Sequence, residues 1–249
     1  MGRIDGAAAA AMLMALALVA LGALTLMLGD FAAVWQPVPA AWPGRPVTPI
    51  LSGLILLAAG GMVLVPRTRA WGAGLAAGFI ALWVLGLHLP HALAKPLVWG
   101  SWNPVAESAA MATGAFVAMR QAQGRSARAA VYVMGACFVV FGISHFVYAK
   151  FTAAMVPAWL PARLQLAWLT GAIHCATGVA LLIGFRRRWA AAIEAAMMAA
   201  FVLLVNGPRA LAMPGNHVEA FGAPIALLLT SAALVLATSS AVAPRGADR

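Results

Sequence analysis

The sequence predicts an all-α polytopic membrane protein with eight transmembrane helices, arranged as two parallel four-helix repeats. Composition, eight apolar runs and an internal repeat indicate this fold. Of 249 residues, 64% are hydrophobic and 9% charged, whereas soluble domains are about half apolar and a quarter charged. The composition excludes a water-soluble globule and a disordered chain, and two cysteines do not make a disulfide scaffold.

Eight apolar runs approach the length of roughly 20 residues that a helix needs to cross the hydrocarbon core. The fourth run is the shortest. The first run has the position of a signal peptide, but its apolar core is long and has a counterpart later in the chain, so we interpret it as a span. The runs cover residues 7–28, 49–65, 70–89, 105–119, 129–149, 164–185, 189–205 and 218–237.

The second half of the chain repeats the first at an offset of 118 residues. Tryptophan, proline and arginine coincide in one register without a gap, and such coincidences rarely arise by chance. The coincident pairs include Pro39 and Pro157, Pro43 and Pro161, Arg45 and Arg163, Arg69 and Arg187, Trp71 and Trp189, and Pro90 and Pro208. An even number of spans per unit makes the units parallel, and we place them at residues 1–124 and 125–249.

The formal charge of +10 is explained by membrane topology. Eight spans place 5 of the 16 basic residues on one side: Arg45, Lys95, Lys150, Arg163 and Arg209. The other 11 lie on the opposite side: Arg3, Arg67, Arg69, Arg120, Arg125, Arg128, Arg186, Arg187, Arg188, Arg245 and Arg249. The positive-inside rule makes both termini cytoplasmic, and we expect a bacterial inner membrane. We expect no nucleic-acid partner, because the basic clusters lack a continuous face with stacking aromatics.

Ionisable residues within membrane spans are costly and often functional. We interpret four of them as candidate proton-handling groups: His145, His174, His217 and Glu219. Five further residues are candidates for contacts with a bound ligand or cofactor: His88, His91, Glu107, Asn206 and Arg209. His174 should lie near mid-bilayer, either satisfied by one interhelical hydrogen bond or contacting a proton, a quinone or a metal.

The remaining polar patterns predict less chemistry. His88 and His91 have metal-pair spacing, but Pro90 should coincide with the helix end and no third ligand follows, so neither a metal nor haem is expected. Glu107 and Glu219 begin helices, where the helix N-terminus alone favours a carboxylate; the alternative is proton handling. A further carboxylate, Glu194, should pair with the basic turn at 186–188. Motifs for disulfide exchange, phosphate binding, nucleophilic hydrolysis and dinucleotide binding do not occur.

An ordered set of motifs resembles the DoxX-like membrane proteins. The second half contributes GISHF at 142–146, MVPAWLP at 155–161, LTG at 169–171, GVALL at 178–182 and RRRWA at 186–190. The first half contributes HLPHALAKP at 88–96 and WNPVAE at 102–107. The resemblance covers nearly the whole chain, once in each half, whereas members of the family are usually single four-helix units.

The resemblance implies a membrane-bound redox system, since the family includes a quinone-linked thiosulfate-oxidising enzyme and oxidative-stress complexes. Its second-helix glutamate is replaced here by Leu56 and His174, and its third-helix histidine matches His88 but has Asn206 as the repeat partner. Each half keeps part of the polar set. One asymmetric site, or one half that serves as a scaffold, is therefore favoured.

Three hypotheses follow for function. The first is a component of a redox system in the lipid bilayer that binds a quinone or a similar apolar ligand near the outer face. It requires a soluble or membrane partner subunit, because the chain encodes no redox centre. The others are a non-catalytic protein that binds or transports a small solute, and a scaffold subunit. Whether the protein is an enzyme stays open.

Overall fold

Helices make up the regular secondary structure of residues 5–120 and 124–242, which the computed structural model describes, and those residues form no strand. We number the helices in chain order: α1 (Gly6–Leu28), α2 (Thr48–Leu64), α3 (Arg69–Ala94), α4 (Asn103–Arg120), α5 (Gly124–Val147), α6 (Ala149–Met155), α7 (Arg163–Ile183), α8 (Arg187–Ala212) and α9 (His217–Thr238). Helix α6 has only 7 residues; the other eight correspond to the predicted apolar runs.

The long helices pack in chain order around a central helix, α9. Helices α1 to α5 pack successively, α5 packs on α7, and α7 to α9 again pack successively. Helix α9 also contacts α1 and α4, with Ser231 donating a hydrogen bond of 2.9 Å to the carbonyl of Ala10. Because α9 closes the ring of helices, its most apolar 18-residue stretch is 83% buried.

Six of the described helices are long and apolar enough to cross a membrane: α1, α3, α5 (over Arg128–Val147), α7, α8 and α9. Helix α2 is also apolar but has 17 residues, about 25 Å of rise. Many large apolar side chains face outward, including Met27, Trp71, Ile183, Trp189 and Leu211, which are 67–85% exposed. Such an exterior suits a lipid bilayer, because soluble proteins rarely expose large apolar patches.

Helices α3 and α8 extend beyond the predicted ends of their apolar runs, at residues 89 and 205, and each continues through a proline. Each passes through a π turn, Val84–His88 or Val202–Asn206, and resumes as α-helix to Ala94 or Ala212. In α3 the N–H of Leu89 bonds the carbonyl of Val84, five residues back. This wider turn leaves room for the ring of Pro90, which would clash with a carbonyl in a regular helix. The expectation that Pro90 marks the helix end is therefore corrected.

The local structure of the two halves recurs at the offset of the sequence repeat. Helices α3 and α8 begin 118 residues apart, as do the two π turns. The turns that precede α3 and α8 also share a hydrogen bond, from Arg69 Nε to the carbonyl of Val63 and from Arg187 Nε to that of Leu181. Three arginines used in the prediction of orientation, Arg3, Arg245 and Arg249, lie outside the described residues.

Candidate functional site

A cavity of about 760 Å³ lies mostly among helices of the second half of the chain, and the first half contributes one wall. Residues of α4, α5, α7, α8 and α9 line it, together with α6, the segment after α6 and the loop after α1. The lining is mostly apolar and aromatic, and four of the nine predicted site residues line it: Glu107, His145, His174 and Asn206. Ligand pockets usually have about this size and a few polar groups in an apolar wall.

The innermost polar cluster of the cavity joins α7 to α8. His174 Nδ1 lies 2.6 Å from Glu194 Oε1, and Thr177 Oγ1 lies 2.6 Å from Glu194 Oε2. His174 is 1% exposed and Glu194 0%. The His174 ring lines the cavity, whereas Glu194 does not, so the carboxyl group acts on the cavity through the imidazole.

This pairing corrects the expectation that Glu194 contacts the basic turn at 186–188. The three arginines instead contact the ring of Phe185, the carbonyl of Leu181 and the carbonyl of Ala237. Glu194 lies on the buried face of α8 with Ala190, Ala191, Ala195 and Met198. That spacing of three and four residues was visible in the sequence and could have identified Glu194 as an inward-facing carboxyl group.

The cluster can hold its proton in two places. In one arrangement Glu194 is protonated on Oε2 and donates to Thr177, whose hydroxyl donates to the carbonyl of Ile173, 2.9 Å away. His174 then donates through Nδ1 and presents an unprotonated Nε2. In the other arrangement Glu194 is ionised, accepts from Thr177 and pairs with a doubly protonated His174. Nε2 of His174 can therefore accept or donate a hydrogen bond, and the cluster is electrically neutral in both arrangements.

His145 on α5 faces His174, with ring centroids 4.9 Å apart. Its Nδ1 lies 2.9 Å from the carbonyl of Phe141, which can only accept, so Nδ1 carries the hydrogen. In a neutral ring Nε2 is then an acceptor, and it has no hydrogen-bond partner among the described residues. The ring of Phe201 stacks on His145 at 6.2 Å with an interplanar angle of 17°.

A second polar group lies on the first-half wall of the cavity. Glu107 accepts hydrogen bonds from Trp35 Nε1 at 2.5 Å and from Asn103 Nδ2 at 2.7 Å. His88 is buried and its Nε2 lies 2.9 Å from the carbonyl of Trp35. These bonds fix the loop after α1 against α4, and both carboxylate oxygens of Glu107 have donors.

The other predicted site residues lie outside this cavity. Arg209 and Glu219 form an ion pair, and Arg209 lines a neighbouring pocket of about 400 Å³. Asn216 caps α9 by accepting from the N–H groups of Val218 and Glu219, as expected for a helix start. His217 and His91 line neither pocket, and His91 is exposed.

Metal ligation has no support in the described part of the chain, where no group of three or more His, Cys, Asp or Glu side chains is placed to hold an ion. The two cysteines are free: Cys137 is buried, and Cys175 packs against the backbone of Gly142 between α5 and α7.

Fold and site together define an all-helical protein whose apolar helices suit a lipid bilayer and whose cavity holds paired imidazoles. A family model described as a domain of unknown function (DUF8561) matches residues 134–238, which include most of α5 and all of α6, α7, α8 and α9. The matched segment includes both imidazoles and Glu194. No curated protein and no solved structure matches the chain.

Proposed function

We propose that this is an integral membrane protein that binds a quinone or a similar ring-shaped apolar ligand beside His145 and His174. The single observation that carries the proposal is the pair of imidazoles, 4.9 Å apart, in the wall of a mostly apolar cavity of about 760 Å³. Quinone chemistry couples electrons to protons, and imidazole is the side chain best suited to exchange protons near neutral pH.

The walls of the cavity support a ring-shaped ligand. Phe141, Phe201, Tyr148 and Phe151 line it, and aromatic side chains favour offset or edge-on contact with another ring. The ligand can enter from the bilayer, since Phe151 is 70% exposed and lies on the short helix α6 that covers the cavity.

We further propose that the chain is a tandem of two DoxX-like units and that only the second unit carries the imidazole pair and Glu194. The recurrence of the starts of α3 and α8 and of the two π turns supports the tandem. At the offset of 118 residues, the counterparts of His145, His174, Thr177 and Glu194 are Met27, Leu56, Ala59 and Ala76. Three of these counterparts, Leu56, Ala59 and Ala76, are buried core residues, which supports a scaffold role for the first unit.

A redox role requires a partner, because the motifs of the chain specify no electron carrier. We infer that electrons enter or leave the ligand through a second membrane or soluble subunit. Binding of a ligand without electron exchange would instead favour transport of a lipophilic solute. The location of the cavity, which residues of both halves line, also suits transport.

The proposal is tested by ligand binding to the purified chain in lipid nanodiscs. Isothermal titration with tetramethyl-para-benzoquinone and its hydroquinone should give saturable binding that His174→Leu weakens by about tenfold, the worth of one lost hydrogen bond. His91→Gln, an exposed histidine outside both pockets, is the matched control and should bind as the wild type does. Equal affinities for the wild type and His174→Leu would refute the assignment of the site.

A further inference from the structure

We infer that the site selects a ligand that carries a ring hydroxyl, a hydroquinone or phenol, and that His145 is the residue that imposes this choice. The inference rests on the proposed function, because it specifies which form of a ring ligand the cavity accepts. It follows from which hydrogen-bond atoms the two imidazoles present to the cavity.

The backbone fixes the polarity of His145. Its Nδ1 must donate, since its neighbour at 2.9 Å is the carbonyl oxygen of Phe141. The only remaining ring nitrogen, Nε2, is then an acceptor in a neutral imidazole. A ligand that offers only carbonyl oxygens to this atom would place two acceptors against each other.

No carboxyl group is hydrogen-bonded to His145 among the described residues. Glu194, the carboxyl group nearest the imidazole pair, is bonded to His174 and Thr177. On the opposite wall, the oxygens of Glu107 are occupied by Trp35 and Asn103. The lining contributed by α9 is apolar: Gly222, Ile225, Ala226 and Leu229. No described group around the ring of His145 therefore replaces the bond from Nδ1 to the carbonyl of Phe141, and Nε2 is left to accept.

His174 does not discriminate between a carbonyl and a hydroxyl group of the ligand. Its Nε2 donates when Glu194 is ionised and accepts when Glu194 is protonated, so it can meet either a carbonyl or a hydroxyl of the ligand. The site therefore combines a fixed acceptor, Nε2 of His145, with an atom that can donate or accept, Nε2 of His174. A ring ligand that presents a hydroxyl to His145 fits this combination. The quinone form has no hydroxyl and leaves that acceptor unpaired, which costs binding free energy in an apolar cavity.

Three ligands with the same tetramethylated ring test the inference in nanodiscs under anaerobic conditions. They are tetramethyl-para-hydroquinone, the corresponding quinone and the di-O-methyl ether of the hydroquinone, which lacks donors. We expect the hydroquinone to bind about tenfold more tightly than the quinone and the ether, since it alone pairs with Nε2 of His145. In His145→Phe the hydroquinone should lose this advantage while the ether binds at least as well as before. His91→Gln should leave all three affinities unchanged.

Binding of the ether to His145→Phe also shows that the variant is folded. Independently of any variant, the resonance of Nε2 in isotope-labelled histidine should shift with the hydroquinone and not with the ether. Equal affinity of the wild type for all three ligands would overturn the selection by His145 and leave ring binding intact. Tighter binding of the hydroquinone than of the quinone and the ether to His145→Phe would also overturn the selection by His145 and leave ring binding intact. If none of the three binds the wild type, both the inference and the proposed function are wrong.

Discussion

Glu194 has no exposed surface and pairs with an imidazole and a hydroxyl rather than with an arginine. A buried carboxyl group is costly unless it is neutralised or fully hydrogen-bonded, and removal of one partner from a buried pair costs more than the pair itself contributes. The cluster of Glu194, His174 and Thr177 therefore stabilises the fold and also holds the ring of His174 in position.

Replacement of Glu194 should separate these two roles. Glu194→Ala leaves His174 Nδ1 without its partner, removes one of the bonds of the Thr177 hydroxyl, and should lower the free energy of unfolding by about 3 kcal/mol. Glu194→Gln keeps an acceptor for Nδ1 and should lower it by less, while the charged arrangement is lost. Unfolding of the three proteins in mixed micelles measures this. Equal stability of Glu194→Ala and the wild type would contradict the pairing.

Substitution of Trp35 tests the hydrogen bond between Trp35 and Glu107 in the wall that the first half contributes to the cavity. Trp35→Phe removes the indole N–H that bonds Glu107 and should cost about 1 kcal/mol, because Glu107 keeps the bond from Asn103. Thermal unfolding in detergent measures the loss. Trp159→Phe, a change of the same kind at an exposed side chain, is the control. A loss at Trp159 as large as that at Trp35 would contradict the assigned bond.

At the level of elements, the contacts of α2 and α7 depend on glycines. A side-chain carbon added at Gly60 would lie 2.9 Å from the carbonyl of Ala15 on α1, and one at Gly178 would lie 2.6 Å from the carbonyl of Gly135 on α5. These contacts are too short, so the paired helices would have to move apart. The two glycines are counterparts at the repeat offset, and each allows a close helix pair of the kind common in membranes.

Adjacent glycines in α2 give a matched test of this packing. Gly60→Ala should destabilise the fold by about 1–3 kcal/mol through overpacking. Gly61→Ala, where the added carbon has nothing within 4 Å, should be neutral or slightly stabilising because alanine favours the helix. Unfolding by denaturant in mixed micelles compares them. Equal changes in stability in both variants would contradict the close contact of Gly60 with α1.

The sequence predicts the helices better than their ends and the cavity. Apolar runs identify the eight long helices because burial in lipid or protein demands apolar side chains over a whole span. The prediction of a helix end at Pro90 was wrong because a π turn depends on backbone bonds that a proline alone does not reveal. Helix α6 and the cavity that it lines were not predicted, since a cavity depends on packing between distant segments. His145 and His174 were identified as intramembrane histidines, but their proximity depends on the contact between α5 and α7.

At the level of the whole molecule, the prediction of eight spans from the sequence places both ends of the chain on the cytoplasmic side of the membrane, and the orientation of α3 tests it. Residues 67 and 95 flank α3, which is about 39 Å long, and both are exposed. In a background without Cys137 and Cys175, Arg67→Cys should react with an impermeant maleimide only after the cytoplasmic face is opened, whereas Lys95→Cys should react in intact cells. The reverse pattern would refute the orientation, and labelling of both from one side would refute α3 as a span.

The central claim is that a ring ligand occupies the cavity beside His145 and His174, and photoaffinity labelling tests it most directly. An azido-substituted quinone, irradiated with the protein in nanodiscs and mapped by mass spectrometry, should modify cavity residues such as Phe141, Tyr148, Met155 and Phe201. An excess of tetramethyl-para-hydroquinone should suppress this labelling. Adducts confined to the outward-facing surfaces of α1, α2 and α3, or labelling that the competitor does not reduce, would contradict the account.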